Sequence, residues 1–282
     1  MSHYELPLVF FTVICQWMVG VVMALTLVSV AAPTTFKALL DNKVLTRWAI
    51  VIFIINAIGS SLSSLHLGTP FGAYRAFNGI AHSWLSREAV AFVLLNGVMF
   101  FWAAVLVLRP HQVALVRTMN ILASMTGVLA ILASAQLYYQ MAAHPFWHTL
   151  STHLSFITTA VLLGFLSLLL LLILQQIRPP KALVAGVWLG IALVLLLLLS
   201  YALQFQHSEK MATTLTLMFS SPLFLVQLVG LLFVPGLAVI ATYQPKMLNR
   251  FRCTVIVVIT FIGALCARML FYGSVMQQAP WF

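Results

Sequence analysis

The sequence predicts an all-α integral membrane protein, a single polytopic domain over 1–282 built as a bundle of about eight transmembrane helices. Three observations carry this. The chain is 63% hydrophobic and only 6% charged, against roughly a quarter charged residues in soluble domains. It contains eight apolar runs, each near the ~20 residues that a helix needs to cross the hydrocarbon core. These runs lack the alternation of polar and apolar positions that a lipid-facing barrel strand requires.

The runs lie at about 8–31, 47–67, 88–108, 117–141, 153–177, 183–205, 222–243 and 253–273. Charge gives them a direction. Loops after runs one, three, five and seven hold ten Lys and Arg, among them Lys37, Arg47, Arg117 and Arg250, whereas the other side holds Arg75, Arg87 and Lys210. Basic loops stay in the cytoplasm, so both termini are expected to be periplasmic in the inner membrane of a bacterium. Glu5 and His3 precede the first run without a basic leader region, so that run is expected to be a retained helix.

Between the runs, Pro179-Pro180 predicts a stiff turn, and the leucines of 193–199 read as lipid-facing filler. The stretches 68–87 and 206–221 are expected to be outer loops. The net charge of +10 is that of membrane topology, and no nucleic-acid partner is expected. Cys15, Cys253 and Cys266 stand apart without a Cys-x-x-Cys pair, so neither an iron–sulfur cluster nor a structural metal is expected on this chain. His144, His148 and His153 gather beside Pro145 in a loop. Bilayer haem needs axial histidines on facing helices, so these read as a solvated loop, with no haem. Tyr138, Tyr139, Trp147, Trp281 and Trp102 read mostly as interface anchors.

Few residues are left to carry chemistry. Glu88, at the mouth of the third run, is the one acidic residue of four placed on a span. An ionisable group there is expensive and marks a candidate site; the plainer alternative is helix capping beside Ser86. Asn56, Ser60, Ser63 and Ser64 share an arc of the second run, with His66 at its margin. His66 and Glu88 end and begin consecutive antiparallel helices, so an imidazole and a carboxylate share one pocket mouth. Such a pair exchanges protons near neutral pH. Arg268 lies inside the last run, with Tyr272 one turn on. It either snorkels to the interface or serves the site, where Glu88 is the nearest plausible carboxylate. A quinol, with two hydroxyls to deprotonate and an apolar tail, suits this group of residues between helices two, three and eight.

The loop also carries a resemblance. His66-Leu67-Gly68-Thr69-Pro70, Ala73-Tyr74-Arg75-Ala76, Asn78 and Ser83-Trp84-Leu85-Ser86-Arg87-Glu88 resemble the signature of the anchor subunit of anaerobic dimethyl sulfoxide reductase. Related polysulfide-reductase-type membrane subunits share much of it. The opening Glu5–Thr12 and the ending Ala267–Gly273 are similar to the family's ends.

The resemblance implies a menaquinol-oxidising subunit without haem. It would pass electrons to a separate iron–sulfur subunit, and thence to a molybdopterin subunit that reduces an S-oxide or N-oxide in anaerobic respiration. By matching positions, His66 and Glu88 are the catalytic pair. Gly68, Arg75, Arg268 and Tyr272 complete the quinol-binding set. The family often has a basic residue two positions after the proline, where this chain has Gly72; either Arg75 supplies that charge or the site is built without it. Two readings compete with the resemblance. A proton-coupled secondary transporter would gate on Glu88 and Arg268 near the midplane, and a purely structural anchor would use His66 and Glu88 as caps.

Overall fold

The computed structural model describes residues 5–63, 74–75, 78–206, 208–244 and 248–276. Among these there are helices and no strands. They are α1 (Leu6–Ala31), α2 (Pro33–Asp41), α3 (Val44–Leu62), α4 (Trp84–Leu108), α5 (Val113–Tyr139), α6 (Leu150–Leu174), α7 (Lys181–Gln204), α8 (Glu209–Ser220), α9 (Pro222–Leu228), a π-helical turn (Val229–Phe233), α10 (Val234–Ala241) and α11 (Arg250–Met276). Eight spans are long and apolar enough to cross a membrane, the seventh being α9, the π turn and α10 together over Pro222–Ala241.

Each expected run is helical over its described residues, and the ends differ for local reasons. Span three starts at Trp84 because the Ser83 hydroxyl accepts from the Ser86 amide at 3.4 Å. This corrects the capping alternative for Glu88, which stands beyond the first turn. The outer loop expected over 206–221 is largely helix α8. Ser208 caps it by accepting from the Met211 amide at 3.1 Å, and Glu209 sits favourably in its first turn. The short helix α2 has no counterpart among the expected runs; Pro33 opens it, and Phe36, Leu39 and Leu40 face inward. Both are too short to span, so hydropathy alone passes over them.

Helix α1 is the hub. It packs on α3, α5, α6 and α11. Its approach to α6 is backbone to backbone: a Cβ on Gly20 would meet the Ala160 carbonyl oxygen at 1.8 Å. Without a hydrophobic force between helices in lipid, such small-residue contacts and buried polar pairs hold a bundle together. Span seven is treated similarly, with Gly230 of the π turn against Gly263 of α11. Pro235, just past the turn, lacks an N–H to continue the ladder, and a π turn is one way to absorb that break.

The leucines of 193–199 only partly face outward. Leu195, Leu196 and Leu199 are exposed, whereas Val194 and Leu197 are buried against neighbouring helices. Trp102 corrects the interface-anchor reading more sharply. It is fully buried and its indole N–H donates to the Asn120 side-chain oxygen. Tyr138 and Trp147 are buried too.

Candidate functional site

The end of the bundle that carries Glu88 collects most of the buried polar side chains with chemistry. Glu88 is 5% exposed. A lone carboxylate at that depth needs a donor, and the Ser134 hydroxyl on α5 donates to its Oε1. One turn further along α5, the Tyr138 hydroxyl accepts from the Tyr272 hydroxyl of α11 at 3.1 Å. The spacing Ser134–Tyr138 therefore makes α5 a bridge between α4 and α11. Both tyrosines lie within Coulombic range of Glu88 and of Arg268.

Arg268 is 3% exposed, so it does not snorkel. Its Nη2 donates to Gln16 Oε1 on α1 at 3.0 Å, and its guanidinium lies over the Phe156 ring, 3.7 Å from the centroid. Its partner is thus Gln16, where the sequence suggests Glu88. Helix α11 packs on α1, α6 and α9, while α3 and α4 pack on α1 and α5. Among the described residues α11 is not closely packed on α3 or α4, and Tyr138 of α5 links the neighbourhood of Glu88 to α11.

The remaining sequence candidates divide as follows. Arg75 is exposed beside Tyr74, 5.9 Å from its ring centroid. His66 and Gly68 lie outside the described residues. The polar arc of span two packs against its neighbours. Asn56 donates to Asn96 at 3.0 Å, Asn96 donates to Ser60 at 3.0 Å, and Cys15 lies 3.5 Å from the Ser60 oxygen. Of the histidines read as a solvated loop, His148 in the α5–α6 connection meets the Tyr139 carbonyl, whereas His153 lies in α6 and meets Gln136 at 2.9 Å. Burial, aided by nearby Lys210, holds His144 below the usual histidine pKa. No group of three His, Cys, Asp or Glu is placed to hold a metal among the described residues.

Sequence reasoning missed Ser134, Tyr138, Gln16 and Asn96. One signal was present: Ser134 and Tyr138 fall on the same face, as do Thr12 and Gln16 of α1. Single polar residues on long apolar helices are too common for that spacing to single them out.

The fold and site define a polytopic helical membrane protein with a buried carboxylate, a tyrosine pair and an arginine toward one end. The family model described as DMSO reductase anchor subunit (DmsC) matches residues 1–274, and the chain belongs to that family. It is 32% identical over 161 residues to the C chain of anaerobic dimethyl sulfoxide reductase from Haemophilus influenzae, covering 57% of this chain and 56% of that one. It is 30% identical over 161 residues to the YnfH chain of anaerobic dimethyl sulfoxide reductase from Escherichia coli K12, covering 57% and 55%. Against the C chain of the reductase from that same organism it is 28% identical over 175 residues, covering 58% of each. The protein thus spans little more than half the length of the curated relatives it matches. No solved structure matches it.

Proposed function

We propose that this protein is the membrane anchor and quinol-oxidising subunit of a molybdopterin S-oxide or N-oxide reductase in a bacterial inner membrane, with both termini periplasmic. The substrate is menaquinol, and the chain works without haem. Oxidation releases two protons and two electrons. Glu88 and His66 accept the protons, and the electrons pass to an iron–sulfur subunit docked on the loops at the Glu88 end. From there they reach the molybdopterin subunit, where the S-oxide or N-oxide is reduced. Gly68 lets backbone approach the head group, and Arg75 faces a quinone oxygen. Tyr272, through Tyr138, couples the pocket to the positive charge of Arg268.

One observation carries the reading: a buried carboxylate stands beyond the capping turn, hydrogen-bonded by Ser134 and adjoining the Tyr138–Tyr272 pair. A structural anchor has no use for an ionisable group there, since burying it is unfavourable. The transporter reading asks for charge at the midplane. Among the described residues the midpoint of α4 instead holds the neutral Asn96, paired to Asn56 and Ser60.

The test is quinol-driven S-oxide reduction in membranes carrying Glu88→Gln, beside reduction from a soluble donor that bypasses the anchor. Loss of the quinol-driven rate with the bypass rate intact is expected. Normal rates in both assays would remove Glu88 from the mechanism and favour the structural anchor. Loss of both means failed assembly, visible as loss of the partner subunits from the membrane.

A further inference from the structure

Arg268 does more than meet Gln16. Its Nε and Nη1 have no hydrogen-bond partner among the described residues, although both atoms are buried. An arginine stays protonated in any protein environment, and an uncompensated cation inside a membrane bundle is strongly unfavourable. The Gln16 oxygen and the Phe156 face offset only part of that charge. No carboxylate among the described residues is paired with it.

The side chain also lines a cavity of about 30 Å³ between α6, α7, α9 and α11. Gln227 and Tyr201, both buried, line the same space, as do Thr158 and Thr159. The two threonine hydroxyls donate to carbonyls of their own helix, at 2.7 and 3.0 Å. The donors left for an occupant are the Arg268 N–H groups, the Gln227 amide and the Tyr201 hydroxyl. At roughly 10–15 Å³ for one enclosed water, the cavity has room for a small ion or two waters. The one formal charge on its wall is positive. A second cavity, lined by Thr214, Ser221 and Ser274, shares Met218 with it.

We infer that the cavity beside Arg268 is a binding site for a small monovalent anion of the halide class. The anion sits against the Arg268 guanidinium, with Tyr201 and Gln227 as donors, and offsets part of the arginine's charge. The site shares Arg268 with the quinol reading, but its test reads unfolding and not quinol oxidation, so either can fail without the other.

The experiment is thermal unfolding of the full-length protein, solubilised in detergent with the subunits that accompany it. Potassium chloride or bromide is titrated against potassium gluconate at constant ionic strength. A saturable rise of a few degrees with either halide is expected, and its loss in Arg268→Gln. Equal unfolding in gluconate and halide, as water alone in the cavity would give, overturns the site; so does an unchanged halide response in Arg268→Gln. If that variant does not accumulate, Tyr201→Phe with Gln227→Leu keeps the cation and removes two donors. There the halide midpoint is expected to weaken by about tenfold or more, and an unchanged midpoint overturns the proposal.

Discussion

Ser134 donates its hydroxyl hydrogen to the Glu88 carboxylate across the α4–α5 contact, with both side chains almost wholly buried. A hydrogen bond to an ionisable group is worth more than a neutral one, about 1.5–3 kcal/mol. Ser134→Ala is therefore expected to slow quinol-driven reduction by about tenfold and to shift its pH profile, leaving the bypass-donor rate unchanged. An unshifted profile would separate Ser134 from the proton chemistry.

The neutral polar cluster at mid-membrane makes a stability prediction. Asn96→Leu strands the Asn56 amide, which is fully buried, and is expected to cost about 1–3 kcal/mol. Pairing it with Asn56→Leu removes both partners, so the double variant is expected to lose less than the sum of the single variants. Unfolding of the four proteins in detergent and denaturant measures the difference. Strict additivity would dissolve the pair.

The α1–α6 crossing is the least forgiving place in the bundle. A Cβ at Gly20 or at Gly164 meets opposing backbone at 1.8 and 2.0 Å, and backbone cannot swing aside. Gly20→Ala is expected to lower stability by at least about 1–3 kcal/mol and to reduce the amount of protein in the membrane. Gly97 faces open space, so Gly97→Ala is expected to be neutral or stabilising by up to about 1 kcal/mol. Comparing the two alanine variants by thermal unfolding checks the contrast.

His144 gives a pH prediction. Burial, then Lys210, lowers its pKa in the folded protein. The unfolded chain therefore binds the proton more readily, and folding stability falls as pH drops. The neutral form's contribution is complete above about 6.5, the ordinary histidine value, and declines below it. Replacing the imidazole in His144→Gln is expected to flatten part of the acid side of the stability profile, read as unfolding temperature against pH.

The sequence by itself determined the solvent and the number of spans, and it singled out Glu88 and its loop as a candidate site. Hydropathy fixes a span because a backbone in lipid must close its own hydrogen bonds over the full bilayer thickness. The loop from His66 to Glu88 carried the family resemblance, since its small, charged and aromatic residues recur in a particular order. What only the tertiary structure decided was partnership. Arg268 found Gln16 and Phe156, Glu88 found Ser134, and Tyr272 reached the site through Tyr138. Trp102, read as an interface anchor, turned inward to Asn120. The reason is physical. In a soluble helix the apolar stripe points to the core, but here lipid and core are equally apolar, so the sequence does not mark which side of a helix faces its neighbours. Helix α8, amphipathic and too short to span, escaped the hydropathy signal for the complementary reason. Which polar residues meet is settled by where glycines let helices touch, as at Gly20 and Gly164, and that contact exists only once the chain has folded.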